Sequence, residues 1–336
     1  MVNWGILFQN TGPIYSKTIA YMPTVSHYFL GVDGGQSSTQ ALIGDDEGRV
    51  IGAGRGGPCN HVGAAEGRDK FMRAMQGCVG AACKEAGLDP ATVRFRSACL
   101  GFSGGPADKE AILRDILSVD QMVVTHDALI ALSGATAGSP GIVVIAGTGS
   151  MIFGRNAQGE TMRAGGWGYV FGDEGGGFDL TRQALRAALR MEEGWGPVTT
   201  LRRMLLDEAG AADANDVLHR FYTAEFPRPR IAAFSKLVDE AAEGGDEVAR
   251  ELLDRAAREL NNLVLAVQGQ LFQSDEDLAV AYVGGVFRSR GLLARFQELN
   301  RHVRPPIYGP AAGALIEAYR AAGLSRVLSQ VPDNEK

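Results

Sequence analysis

Several absences narrow the field before any motif is considered. No apolar stretch reaches about 18 residues, which argues against a transmembrane helix. No run of Lys or Arg occurs, and a net charge of −6 with a sequence pI near 5.5 argues against nucleic acid or an anionic membrane surface as partner. Cysteine is sparse. Cys59, Cys78, Cys83 and Cys99 form no C-x-x-C pair and no zinc-like spacing with the five histidines, so neither a disulfide framework nor a metal site is indicated. A reducing cytoplasm fits this usage best. G-x-x-x-x-G-K-[ST] is also missing, so any nucleotide must be held by something other than a P-loop.

What remains is a glycine-rich chain of 336 residues, 45% hydrophobic, long enough for two domains that each bury a core. Residues 1–27 lack the charged start and sustained apolar centre of a secretory signal, and Gly12, Pro13 and Pro23 interrupt any helix. Met22 stands just before the first clear strand. We expect residues ahead of it to be dispensable, with truncation to Met22 leaving folding and activity intact.

From Tyr28 the chain reads YFLGV, DGGQSST, QALIG, DDEG, RVIGAG: apolar strands separated by Asp/Gly turns, hence an antiparallel meander. A helix is expected from about Glu66 to Ala86, with Phe71, Met75, Cys78, Val79 and Ala82 on one face. SACLGFSGG, ADKEAILRDIL and QMVVT then complete a β-β-β-α-β-α-β order that ends at Asp127. GIVVIAGTGSMIFGRNAQGE restarts the pattern, which implies an internal duplication, with two α/β halves facing one cleft. Residues 175–273 read as helix almost throughout, and LAVAYVGGVF, SRGLLARFQELN and a last helix from about Ala311 follow. Beyond Val327 a frayed tail is expected.

The glycines cluster where phosphate chemistry would need them. DGGQSST at 33–39 and GTGS at 147–150 are turns after apolar strands, and successive N–H groups in such turns form concavities suited to phosphate oxygens. A hairpin turn of Gly and Ser is commonly just a hairpin; two at equivalent points of a duplicated unit are harder to dismiss. GAGRGG at 52–57 has the G-x-G-x-x-G spacing, but PCNH follows it instead of a helix, so a dinucleotide site is not indicated. VGGVF at 283–287 ends a strand where a ligand plane could lie, with tight packing as the plain alternative. In GGWGYVFGDEGGG the acids could simply favour a helix N-terminus. Asp127, in VVTHDA, raises the same question: its bland role is an N-cap.

GVDGGQSST, PCNH, FSGG, VVTHDA, VVIAGTGS, GGWGYVFGDEG and YVGGVF, in this order, resemble the N-acetylglucosamine kinases and related BadF-type ATPases of the sugar kinase, Hsp70 and actin superfamily, over about Tyr28 to Gly323. The resemblance implies an α/β fold of two RNase H-like (actin-like ATPase) domains closing an interdomain cleft over ATP and an amino sugar. The first domain would comprise 28–134 plus 309–330, and the second 135–308 with a helical insert at 175–273. It implies Asp127 as general base toward the sugar's 6-hydroxyl and Asp33 as the Mg2+ residue, acting through water. Gly34, Gly35, Gln36, Ser37, Gly147, Thr148 and Gly149 would cradle phosphates, and Gly284 and Gly285 would border adenosine. Asn60, His61, Ser103, Asp127, Gly166, Trp167 and Asp173 would meet the sugar, His61 and Trp167 having structural roles as plain alternatives.

One departure stands out. The family's first turn commonly carries a basic residue after its glycines, whereas this chain has Gln36, Ser37 and Ser38. The expected activity is phosphorylation of N-acetylglucosamine at its 6-position, with glucosamine and N-acetylmuramic acid as competing acceptors. Two readings of other classes are an ATPase activator of an iron–sulfur dehydratase, which needs cysteines at a domain interface, and a non-enzymatic sugar sensor. The helical insert offers a surface on which two copies could pair.

Overall fold

The computed structural model describes residues 27–336 apart from 36, 60–64, 105–107 and 274–277. The truncation at Met22 and the proposed ligands Gln36, Asn60 and His61 therefore concern positions outside the described residues.

Two five-stranded sheets carry the same order. In the first, β1 (Tyr28–Gly34), β2 (Thr39–Gly44) and β3 (Val50–Gly56) form the meander, followed by α1 (Ala65–Glu85), β4 (Phe95–Phe102), α2 (Glu110–Ile116), β5 (Val119–His126) and α3 (Asp127–Ala135). In the second, β6 (Gly141–Ala146), β7 (Ser150–Arg155) and β8 (Thr161–Gly165) repeat the meander. The insert follows: α4 (Gly177–Glu192), α5 (Leu201–Ala209), α6 (Ala214–Phe221), α7 (Arg228–Ala233), α8 (Ser235–Glu243) and α9 (Glu247–Leu271). Then come β9 (Val280–Val283), α10 (Arg290–Leu299), β10 (Val303–Arg304) and α11 (Pro310–Ala321). The strand orders β3-β2-β1-β4-β5 and β8-β7-β6-β9-β10 are superimposable, with antiparallel meanders and parallel β1-β4-β5 and β6-β9-β10.

Alternation along β1 and β2 sends Leu30, Val32, Ala41 and Ile43 toward α1, and Phe29 and Leu42 toward α11. Phe71, Met75, Cys78, Val79 and Ala82 of α1 are all buried, as their helical spacing implies. The glycines of GAGRGG serve this packing. Gly52, Gly54 and Gly56 alternate on β3, and a Cβ at each would press into the α1 backbone at Ala82, Cys78 and Ala74. Their spacing reflects close helix–strand approach, with no dinucleotide involved.

The helices after β5 and β10 exchange sheets. Ala128, Leu132 and Ala135 of α3 pack on Val143, Phe153 and Ala281 of the second sheet, while α11 packs on the first. The two cross in contact at Gly134 and Gly313, where added side chains would collide with backbone. Beside this crossing Arg155 of β7 pairs with Glu317 of α11 at 2.9 Å, both side chains being buried, and Ser133 of α3 bonds the same carboxylate.

The end of the chain corrects the expectation of a frayed tail. Arg49 and Ser329 form a parallel bridge, Leu328 and Val331 are buried against the α11 cluster, and Glu335 is 4% exposed. Its carboxylate accepts the Ala312 N–H at 2.9 Å, so the tail caps α11. Two apolar residues in a polar segment carry no periodic signal, which is why the docking was not legible.

Candidate functional site

Asp127 stands where β5 runs into α3, and the capping question resolves there. The N-cap of α3 is His126, whose Nδ1 accepts the Leu129 N–H at 3.3 Å. Burial pushes the His126 pKa down, against the opposing pull of Asp127, which suits a neutral ring accepting at Nδ1. Asp127 is thus the first helical residue and free of the capping duty. Its carboxylate accepts the Ser103 hydroxyl at 2.8 Å, and Ser103 in turn donates its N–H to the Gly34 carbonyl at 3.2 Å. Ser103, Asp127 and the first glycine turn form one assembly at the carboxyl ends of β1, β4 and β5.

Asp33 lies beside them. Burial, then Glu335 and Asp127, push its pKa up to about 7. A buried carboxylate flanked by two others either takes up a proton or pairs with a cation, and a divalent ion here would relieve all three. No group of three His, Cys, Asp or Glu close enough to chelate an ion occurs among the described residues. The donor set fits Mg2+ held through water by a carboxylate, with substrate phosphates completing the shell, because Mg2+ sheds its waters reluctantly. The first turn closes through Gly35 N–H to Ser38 O at 2.9 Å, and Ser37 is exposed. Gly34 packs under Phe102 and Cys59, and the buried ammonium of Lys109 lies 5.6 Å from the Phe102 ring centroid. A cation does stand behind the turn that lacks its basic residue.

The second turn is fastened to the start of α4. Gly177 and Phe178 donate their N–H groups to the carbonyls of Gly147 and Thr148, at 2.8 and 3.0 Å. Gly149 has no room for a Cβ because the Asp173 carboxylate occupies that place. Asp173 is itself left-handed, with φ of 64°, and 4% exposed; Arg228 of α7 donates to it at 3.0 Å. Such a backbone costs an aspartate on the order of 1 kcal/mol and persists where the surroundings demand it. Asp173 therefore ties the phosphate turn to the insert. Trp167 is 67% exposed, with Arg163 over its ring at 4.7 Å, which removes the core-filler alternative; Gly166 beside it is left-handed and exposed. Gly284 and Gly285 are both exposed at the end of β9, where Gly284 is pressed against Ala146 with φ of 113° and Gly285 borders open space.

A family model described as the BadF/BadG/BcrA/BcrD ATPase family matches residues 30–318. The chain belongs to this family. An N-acetylmuramic acid/N-acetylglucosamine kinase of Clostridium acetobutylicum is 30% identical to this BadF-type chain over 81% of its length and 91% of the relative's. An N-acetyl-D-glucosamine kinase of Dictyostelium discoideum is 30% identical over 79% of this chain and 87% of its own. Among solved structures, a candidate N-acetylglucosamine kinase of Chromobacterium violaceum matches with a TM-score of 0.69 at 27% identity, covering 86% of this chain and 98% of that one. A ROK family glucokinase of Streptomyces griseus, 19% identical, matches the fold with a TM-score of 0.51 over 89% of this BadF-type chain and 99% of its own. The fold is thus the expected pair of RNase H-like, actin-like ATPase units.

The structure brings Asp33, Gly34, Ser103 and Asp127 into one group, and Gly147 to Gly149 and Asp173 into another. Sequence reasoning missed Glu335, Lys109 and Arg228. Nothing in their local patterns signals a site: Glu335 acts from the tail, and Arg228 is 55 positions from Asp173. All four cysteines are buried in the first unit, with Cys78 pushed up to about 12 by burial, which leaves no thiol presented at the cleft for a cluster.

Proposed function

We propose that this chain is an ATP-dependent kinase of amino sugars that phosphorylates N-acetylglucosamine on its 6-hydroxyl. The observation that carries this reading is the carboxylate of Asp127, relieved of capping by His126, steadied by Ser103, and placed beside Asp33 and the first glycine turn. The names of the relatives at 30% identity support the substrate class.

In this reading Asp127 accepts the proton of the 6-hydroxyl as that oxygen bonds to the γ-phosphorus and the bond to the β,γ-bridging oxygen breaks, releasing ADP. Phosphoryl transfer asks chiefly for positioning and charge neutralisation, so one aligned carboxylate is sufficient protein chemistry. Asp33 would hold Mg2+ through water, and the bound ion would neutralise phosphate charge. Gly34, Gly35 and Ser37 on one side and Gly147, Thr148 and Gly149 on the other offer N–H and hydroxyl groups to the phosphates. Gly284 and Gly285 border the adenosine, and Ser103, Gly166, Trp167 and Asp173 line the sugar side. Trp167, exposed and steadied by Arg163, presents an indole to the sugar ring. We read residues 28–134 with 309–330, and 135–308, as the two bodies that close on these ligands, with α3 and α11 as the crossing between them.

A coupled ADP-release assay over hexoses and amino sugars tests the reading. ADP release stimulated by N-acetylglucosamine, with the 6-phosphate as product, is expected. Absence of stimulation by any amino sugar overturns it.

A further inference from the structure

The insert contains a cavity of about 860 Å³ bounded by α4, α5, α6 and α7. This is within the size range of small-molecule sites and far larger than an N-acetyl group needs. Phe178, Leu185, Leu205, Val217, Phe221 and Ile231 make its walls apolar. One end is built from Tyr169 and Arg228. Those two residues connect the cavity to the sugar side. The Arg228 guanidinium lies over the Tyr169 ring at 5.3 Å while pairing with Asp173, the Tyr169 ring meets Phe178 edge-on at 5.1 Å, and Arg182 donates to the Tyr169 carbonyl at 3.2 Å.

The cavity's charge runs against that of the protein. Its lining has four arginines, Arg182, Arg186, Arg202 and Arg228, against Glu192 and Glu193, in a chain of net charge −6. Both glutamates are engaged: Glu192 pairs with Arg202 at 2.8 Å, and Glu193 accepts the Trp195 indole N–H at 2.5 Å. The Nε–H groups of Arg182 and Arg228 are shielded from solvent and have no acceptor. Leaving such donors unmet costs about 1–3 kcal/mol each. An apolar body with an anionic group matches this lining; a sugar hydroxyl does not.

We propose that this cavity is an acceptor subsite for a carboxylate-bearing ether substituent on an N-acetylhexosamine, with Arg228 as its specificity-determining residue. The inference rests on the amino sugar kinase reading and extends it. N-Acetylmuramic acid is the smallest such sugar of ordinary occurrence: its lactyl carbons meet Tyr169 and Phe178, and its carboxylate meets the Arg228 and Arg182 side. The guanidinium of Arg228 then answers to two carboxylates, Asp173 behind it and the substrate in front, so occupancy of the cavity is felt at the second phosphate turn through Gly149.

The test compares kcat/KM for N-acetylglucosamine, N-acetylmuramic acid and the carboxamide of N-acetylmuramic acid. In the wild-type protein the acid is expected to exceed the carboxamide by about 10-fold or more, the scale of a lost charge-assisted hydrogen bond. Arg228→Met lowers the acid-to-N-acetylglucosamine ratio by a similar factor, and Arg228→Lys restores part of it. Equal turnover of acid and carboxamide by the wild-type enzyme, alongside active phosphorylation of N-acetylglucosamine, overturns the subsite and leaves the kinase reading standing. Failure of all three sugars to release ADP overturns both. The wild-type comparison needs no variant, so a misfolded Arg228→Met protein does not shelter the proposal.

Discussion

In the first sheet, β1 ends on a carboxylate and a glycine, paired in register as Asp33 with Gln40 and Gly34 with Thr39; in the second, the matching end of β6 pairs Ile145 with Met151 and Ala146 with Ser150. The position held by Asp33 in one half is thus held by isoleucine in the other. The same contrast recurs at the crossing helices. The start of α3 supplies its own acid, Asp127, and borrows its cap from His126, whereas α11 starts on proline and receives its carboxylate from Glu335 of the tail. Identical scaffolds have been furnished in opposite ways: one side gathers negative charge around a proton acceptor and a cation site, the other offers neutral N–H groups and an arginine-rich insert. A triphosphate with its metal between them would meet complementary partners on each side.

Four perturbations break or sharpen that contrast. The largest effect is expected from Asp127→Asn, which removes the proton acceptor of the acidic side. Steady-state ADP release should fall about 1,000-fold, within the usual range for general-base loss, while calorimetric sugar binding persists. Unchanged turnover would mean that the asymmetry is not catalytic. Next is Glu317→Leu, which strands the buried Arg155 guanidinium where the halves cross. Denaturant unfolding should show a loss of about 3–5 kcal/mol.

Asp33→Asn probes the charge crowding directly. The folded pKa of Asp33 is raised from 3.8 to about 7, so the native state binds the proton more tightly than the unfolded chain. The stability this contributes is complete below the lower value and is lost as pH rises through the upper one. The metal-free wild type should therefore weaken across that window. The asparagine variant should lack this slope and be more stable above pH 7 by on the order of 3 kcal/mol, read from denaturant midpoints at several pH values. Saturating Mg2+ with nucleotide should narrow the difference. The smallest effect is expected from Glu335→Ala, which strips α11 of its borrowed cap. It should cost about 1 kcal/mol by thermal unfolding, and no loss of stability would show that the two helix starts do not depend on their caps unequally.

Much of this was legible in advance, for physical reasons visible in particular residues. The meanders announce themselves because Asp/Gly turns interrupt strands of period two, and α1 because Phe71, Met75, Cys78, Val79 and Ala82 fall on one helical face. The phosphate turns were legible because two glycine clusters recur at equivalent points of a duplicated unit. Contacts between distant segments were not. Arg228 with Asp173, Glu335 with Ala312 and Arg155 with Glu317 join residues whose neighbours give no hint of each other. Asp127 sits between these cases: its position was readable, but which of two adjacent side chains caps α3 depends on their orientations.

The sequence by itself determined the order of strands and helices, the duplication, and the residue types available at each strand end, because these follow from local periodicity and turn chemistry. Only the tertiary structure decided what those residues face. Burial and the approach of remote carboxylates set the charge on Asp33, a histidine ring released Asp127, and helices 50 residues apart closed an arginine-lined cavity, since desolvation and electrostatic coupling depend on distance in space and not along the chain.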